Sequence, residues 1–345
     1  MNAEFMEALR EIEREKSIPL EMLLEAIEAA LLSAYRKNFG TAQNARVEID
    51  RTTGALRVLA QKTVAEKVDD PREEIGLEEA QRLNPRYQPG DKVEVEVTPR
   101  DFGRIAAQTA KQVVVQRIRE AERNLIYDEF SGREQDIVTG VVRRAEMKTV
   151  FVDLGRTEAI LAPAEQVATE VYRQGDRIKT YIVEVRKTTK GPQILVSRTH
   201  PGLVRRLFEL EVPEIHEGVV EIKAVAREPG LRTKIAVHSH DPNVDPIGAC
   251  VGPRGVRVQT VVNELRGEKI DIIRWSPDPA EFVASALSPA KVVSVELDED
   301  SHAARVVVPD YQLSLAIGRE GQNARLAARL TGWKIDIKSE SQVAG

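Results

Sequence analysis

The last third of this sequence repeats itself, and that repeat limits what the chain can fold into more than any other feature. Val251-Gly252-Pro253-Arg254-Gly255 and Ile317-Gly318-Arg319-Glu320-Gly321 stand 66 positions apart. Each follows a short apolar run and precedes a helical stripe, Val258, Val261 and Val262 in one copy and Ala324, Ala327 and Ala328 in the other. Each then reaches a glycine and one strand-like core: Gly267 before Lys269-Ile270-Asp271-Ile272, and Gly332 before Lys334-Ile335-Asp336-Ile337. There the offset is 65, so one residue was gained or lost in the connecting turn. Upstream lie paired strand-like runs, 219–226 with 233–239 and 292–297 with 304–308. Both copies therefore predict helix, strand, strand, helix, Gly-x-x-Gly, helix, strand, a unit that must fold twice.

A Gly-x-x-Gly between two helices puts backbone without Cβ at a sharp turn and turns helix N-terminal N–H groups outward, which suits the close approach of phosphates. Aliphatic residues such as Ile247, Val251, Leu315 and Ile317 would wall the groove beside it. This is the KH arrangement, whose loop clamps about four nucleotides while the bases enter an apolar groove. One such loop usually marks only a turn, but two in one seven-element context point to RNA. Arg254 and Arg257 in the first copy, and Arg319 and Arg325 in the second, stand where phosphates would pass, against the plainer reading of a solvated helix face. Glu320 is discordant there unless it turns outward or pairs with Arg319. Replacing Gly252 and Gly255 by Asp is expected to lower RNA affinity without unfolding the module.

Upstream, between Ser131 and Thr199, the period changes to alternation. Runs at 138–142, 150–154, 159–161, 178–185 and 194–196 are separated by Gly155, Pro163, Gly175-Asp176 and Lys190-Gly191-Pro192. Five short strands in so little chain is the economy of an OB barrel. Arg143, Arg144 and Lys148 precede Phe151, and Lys179, Arg186, Lys187, Lys190 and Arg198 follow it. Phe151 is either an exposed ring for stacking a base or a core residue of its strand.

The remaining segment begins with helical patterning: Phe5, Leu9 and Ile12, then Leu23, Leu24, Ile27, Leu31 and Leu32, with Gly40 placed to end the second run. Residues 47–49 and 56–58 flank Arg51-Thr52-Thr53-Gly54 as a hairpin, and Asp101 is placed to cap a long helix. Its apolar stripe runs through Ala106, Ala110, Val113, Val114, Ile118, Ala121 and Leu125.

Composition looks unfavourable to nucleic acid at first. The 345 residues carry 50 Lys+Arg against 55 Asp+Glu, and aromatics are 4%. The charge is unevenly spread, however: 20 basic against 25 acidic in residues 1–130, 12 against 9 in 131–200, and 18 against 21 in 201–345. KH grooves grip with backbone and aliphatic walls, so few rings are needed. The single Cys250 excludes an internal disulfide and any multi-thiolate zinc site. It is expected to be buried, in a cytoplasmic protein with no secretory signal and no membrane span. Enzyme readings fail for want of partners: Asp101-Phe102-Gly103 has no accompanying kinase motif, no nucleotide P-loop occurs, and His238-Ser239-His240 has no further metal ligands nearby. No cofactor, no metal and no catalytic residue are expected.

Longer runs resemble one family, the bacterial NusA transcription elongation, termination and antitermination factors. Phe102-Gly103-Arg104-Ile105-Ala106-Ala107-Gln108-Thr109-Ala110-Lys111-Gln112 resembles that family's N-terminal signature. Residues 245–252 resemble its first KH module, and 315–327 with 331–337 its second. The resemblance implies a multidomain α+β protein: a helix-rich N-terminal RNA polymerase-binding domain at 1–130, an S1-motif OB-fold β-barrel at 131–200, and tandem type II KH domains at 201–276 and 277–345. It implies phosphate loops at Gly252, Pro253, Arg254 and Gly255 and at Gly318, Arg319, Glu320 and Gly321, with Arg257, Gln322, Asn323 and Arg325 just behind. Glu320 is tolerated in that family's second loop. Phe151 matches the usual S1 aromatic, while Leu161 stands where many S1 domains carry a histidine on the RNA face; Arg198 joins the barrel's RNA candidates. Arg104 and Lys111 are the candidate polymerase contacts.

The implied function is that of a non-enzymatic, monomeric adaptor. It would bind RNA polymerase core near the RNA exit channel, hold nascent single-stranded RNA, and join other Nus antitermination factors, modulating pausing, intrinsic termination and antitermination. Some members add acidic C-terminal repeats that this sequence, ending at Gly345, does not show, so an autoregulatory role through them is not carried over. A phosphorolytic exonuclease is the main rival, but there KH precedes S1 behind large catalytic domains. A ribosome-bound KH protein, the second rival, leaves the barrel and the long helix unexplained.

Overall fold

In the computed structural model, which describes residues 3–39 and 44–344, the chain divides into two compact units, Met1–Leu125 and Ile126–Gly345. The first opens with α1 (Ala3–Lys16) and α2 (Leu20–Phe39). The second buries Leu23, Leu24, Ile27 and Leu31 as the periodicity predicts, with Leu32 partly buried; the first buries Leu9 and also Met6, which the spacing does not mark, while Phe5 and Ile12 are only partly buried. The expected stop at Gly40 lies outside the described residues. Strands β1 (Ala45–Ile49) and β2 (Leu56–Ala65) form the expected hairpin, whose turn is tied by Asp50 accepting from the N–H groups of Thr52 and Thr53. After β3 (Glu74–Gly76), α3 (Leu77–Leu83) and β4 (Lys92–Glu96), a four-stranded sheet is complete, with β2 pairing all three others. Helix α4 (Phe102–Ser131) then buries Phe102, Ala106, Ala110 and Val114 against α1, α2 and the hairpin, and its stripe stays packed as far as Ala121. Leu125, assigned to that stripe by spacing, is exposed.

The second unit starts within α4, whose last turn packs Ile126, Tyr127 and Phe130 on a barrel core. Strands β5 (Ile137–Glu146), β6 (Thr149–Asp153), β7 (Glu158–Leu161), β8 (Arg177–Thr188) and β9 (Gly191–Ser197) close in the order β5-β6-β7-β9-β8. Alternation explains the interior: Val150 and Val152, Ala159 and Leu161, and Ile194 and Val196 point inward from three neighbouring strands.

Two copies of one module follow. The first comprises α5 (Pro201–Glu211), α6 (Pro213–His216), β10 (Val220–Glu228), β11 (Arg232–Ser239), α7 (Pro246–Val251), α8 (Val256–Glu264) and β12 (Lys269–Arg274). The second comprises α9 (Pro279–Ala286), β13 (Ser294–Asp298), β14 (Ala303–Val308), α10 (Leu313–Ile317), α11 (Gln322–Thr331), β15 (Lys334–Ser339) and α12 (Glu340–Ala344). In each sheet the middle strand is antiparallel to the first and parallel to the last, β10-β11-β12 and β13-β14-β15. The parallel step is forced by the two helices that cross from the second strand to the third.

The three modules share cores as well as chain. Ile137 and Tyr181 of the barrel join Leu203, Leu207 and Phe208 of α5 in one cluster. Ala226, Ala236 and Ile273 of the first KH sheet join Phe282, Val283 and Leu326 of the second module in another. Buried ions lock both joints. Arg227 pairs with Glu268 at 2.9 Å beside the barrel–KH joint and donates to His200 O. Lys234 donates to Asp271 and to Ser288 O between the KH modules. Burial pushes the Lys234 ammonium below the usual lysine range against the pull of Asp271. Burial works to raise the Asp271 carboxyl, yet Arg232 and Lys234 together hold it below its ordinary value.

Candidate nucleic-acid interface

The two glycine loops have the same backbone. Gly252 has φ 73° and ψ 174°, Gly318 φ 76° and ψ 172°. Arg254 and Glu320, each third in its loop, are left-handed at φ 54° and 55° with ψ 24°. Gly255 and Gly321 follow at φ 76° and 72° and start α8 and α11. In both loops the first glycine's N–H donates back into the preceding helix and the second donates to the first glycine's carbonyl at 3.1 Å. The x-x side chains, Pro253-Arg254 and Arg319-Glu320, are therefore thrust into solvent. Glu320 does lie near Arg319, at 3.8 Å, but both are exposed, so the pair contributes little and leaves Arg319 available to a phosphate.

The residue five places after the first glycine is a brace in both copies, and buried Asn323 therefore does not face RNA as expected, while Arg257 braces its loop with part of its side chain still exposed. A Cβ on Gly252 would lie 2.6 Å from Arg257 Cγ, and one on Gly318 would lie 2.8 Å from Asn323 N. Arg257 donates to Ala249 O at 2.6 Å and pairs with Glu214. Asn323, 4% exposed, donates its amide to Ala316 O and Leu287 O, both at 3.0 Å. Each side chain ties the loop to the helix before it. Gly252→Asp would thus drive a carboxylate into the Arg257 stem, so that exchange disturbs packing as well as charge. Gly255 and Gly321 have open space beyond the missing Cβ and carry only the positive φ requirement.

Beside the second loop lies a groove of about 760 Å³ shared by both KH modules. One wall carries Leu231, Arg232 and Lys269, the other Leu315, Gly318 and Arg319. Leu315 and Ile317 are exposed, as a groove wall for bases requires, and Ile247 and Val251 are half-buried in the first copy. Gln322 and Arg325 reach across to Glu228 of the first module, at 2.9 and 2.6 Å. Sequence reasoning missed Lys269, Arg232 and Glu228 as groove residues. Lys269 opens the repeated Lys-Ile-Asp-Ile core, but nothing in one copy says that its first strand residue faces the other copy's loop.

The barrel keeps part of its expected face. Phe151 alternates outward between Val150 and Val152, so it is not a core residue. The Arg144 guanidinium covers its ring at 4.0 Å and bonds Glu146 and Glu158. Leu161 is fully buried; the outward residue opposite Phe151 is Ile160. Arg198 is also no surface residue. At 0% exposure it spans the barrel–KH joint, donating to both carboxylate oxygens of Glu170, to Glu264, and to the carbonyl of Lys179. Its guanidinium stays charged because those acids outweigh the opposing cost of burial. Arg143 and Arg186 pair with the barrel's own Asp153 and Glu184, and Lys179 with Glu264 of the first KH module, so these three cations are answered locally.

In the first unit, Arg104 and Lys111 are exposed seven positions apart on α4, hence on one face. Cys250 is buried, which pushes its thiol up to about 12 and leaves it without nucleophilic character at neutral pH. His238 and His240 pack edge to face and His238 meets Trp275. Among the described residues no group of three or more potential ligands could hold a metal.

Family comparison matches this series of modules in order. The NusA N-terminal domain matches residues 4–124, the S1 RNA binding domain 133–197, and the NusA-like first and second KH domains 198–275 and 279–344. The transcription termination/antitermination protein NusA of Halalkalibacterium halodurans is 64% identical over 342 residues, 99% of this chain and 90% of that one. This chain belongs to the NusA family. The Bacillus subtilis NusA is 63% identical over 99% of this chain and 92% of its own, and the Thermus thermophilus NusA 49% identical over 98% and 90%. The NusA order places the S1 barrel and both KH modules in the second compact unit and the N-terminal domain in the first. Among the described residues no helix is long and apolar enough to cross a membrane.

Proposed function

We propose that this NusA-family chain is an RNA-binding transcription elongation factor acting by binding rather than catalysis. The N-terminal unit meets RNA polymerase core near the RNA exit channel, and the S1 and KH modules hold nascent single-stranded RNA. The protein would thereby modulate pausing, intrinsic termination and, with other Nus factors, antitermination. It would work in the cytoplasm as a monomer, its residues 1–130, 131–200, 201–276 and 277–345 serving as separate contact modules.

The observation that carries this reading is the pair of glycine loops with one backbone geometry, both projecting their x-x residues into solvent, the second opening on a groove rimmed by Arg319, Arg325, Arg232 and Lys269. A backbone cradle reads phosphates without sequence, and the half-exposed aliphatics beside it accept bases. The net charge of the KH half forbids a general positive field, so contact depends on these local cations. The N-terminal unit, acidic on balance, would meet a basic polymerase surface, with Arg104 and Lys111 exposed on one face of α4 as candidate contacts.

Single-round transcription with purified polymerase tests the proposal. Adding the full chain should lengthen pause lifetimes and raise termination at hairpin terminators. Unchanged pausing and termination would defeat it.

A further inference from the structure

Glu228 ends β10 in the first KH module, yet its nearest charged partners belong to the second. Its carboxylate accepts from Arg325 Nε at 2.6 Å and from Gln322 Nε2 at 2.9 Å, with Arg329 at 3.9 Å. Arg325 and Gln322 occupy the first turn of α11, immediately after the Gly318–Gly321 loop, and both line the shared groove. Arg325 also donates to Glu320 O, so its guanidinium is held beside the loop. A carboxylate and a phosphate offer a guanidinium the same kind of anionic oxygens at the same distance.

We propose that Glu228 is an affinity-setting residue: it occupies the Arg325 guanidinium as an internal stand-in for an RNA phosphate, and RNA must displace it to engage the second loop. The inference rests on the RNA-binding reading above. The joint between the modules does not need this contact. Lys234 crosses it to Ser288 O at 2.8 Å, and the shared apolar cluster of Ala226, Ile273, Phe282 and Leu326 closes it. Arg325 is nearly half exposed, so the exchange requires no unfolding. Displacement has two consequences. Binding at the second loop is weaker than its cations alone would give. Arg325 is also already neutralised before RNA arrives, so it contributes little to the release of counterions on binding.

The test is a fluorescence titration of a fluorescein-labelled single-stranded RNA with the full chain over a range of salt. Glu228→Gln keeps an oxygen acceptor for Arg325 and removes the charge, so it separates competition from simple positioning. The variant should bind about threefold or more tighter near 0.1 M salt, and its log–log salt slope should steepen by about one, as Arg325 now meets phosphate afresh. Adding Arg325→Gln should abolish both changes. Glu217→Gln, three residues before the opposite end of β10, should change neither. Affinity that falls or stays level in Glu228→Gln overturns the inference, a fall meaning that Glu228 only positions Arg325. Should the unaltered chain fail to bind RNA at all, the functional reading fails first, and the two failures are thereby distinguished.

Discussion

The two glycine loops share their backbone angles to within a few degrees but not their supports. The first is braced inside its own module, by Arg257 between Ala249 O and Glu214. The second is braced by a buried asparagine, and the helix behind it is tied to the neighbouring module through Glu228. Identical backbone with different side chains indicates that loop shape is the functional constant, while the braces are local solutions to holding it. It also makes the first loop an independent contact and the second a coupled one.

The sharpest way to break this comparison is to fill the space under the first glycine. In Gly318→Ala the new Cβ meets backbone, which cannot swing aside, and a positive φ is also demanded; a loss of about 3 kcal/mol is expected. Gly252→Ala meets a side-chain stem, so about 2 kcal/mol is expected. Thermal or urea unfolding of the full chain should preserve that order, and a reversed order would mean that the braces are softer than their contacts indicate.

Removing the braces comes next. Asn323→Ala removes the donor to buried Ala316 O and one of two donors to Leu287 O, which keeps Ala290 N–H, and should cost about 2 kcal/mol. Arg257→Ala should cost about half that, because water can take its place at a partly exposed site. Equal losses in the same melts would contradict the contrast. Gly255→Ala and Gly321→Ala, with open space beyond each, should cost about 1 kcal/mol each and should match one another.

The smallest effect is a pH signature of the coupled loop. The hydrogen bond from Arg325 holds the Glu228 carboxyl below the ordinary glutamate range of about 4.3. A depressed carboxyl stabilises the fold above its unfolded pKa, and that contribution is lost as pH falls through the lower folded value. The melting difference between the unaltered chain and Glu228→Gln should therefore be constant near neutrality and vanish in acid. A difference that persists well below pH 4 would show that the contact is not ionic.

How much of this was legible beforehand depends on whether the signal was periodic. The repeat announced both loops, since glycine spacing and flanking stripes recur at a fixed offset. Alternation announced the five barrel strands and correctly left Phe151 a candidate for the outer face. Individual arginines misled. Arg198 is, in sequence, indistinguishable from a solvated basic residue, and nothing local shows that Arg257 is also a brace. What buries Arg198 is Glu170 and Glu264, one 28 and the other 66 positions away, and no local pattern brings them together. Asn323 misled in the same way, because a polar residue on the first turn of a helix gives no sign that it faces inward. Leu125 continued a stripe whose packing partners stop at Ala121.

RNA held at the exposed x-x positions of both loops must lose affinity when those positions turn acidic. That requirement is tested most directly by titrating single-stranded RNA at fixed salt with the full chain carrying Pro253→Asp and Arg254→Asp, then Arg319→Asp, then all three. These side chains stand in solvent outside the braces, so melting should be unchanged. Affinity should fall about tenfold or more for either loop and further for both. Unchanged affinity in the triple variant, with the fold intact, would contradict RNA binding at these positions.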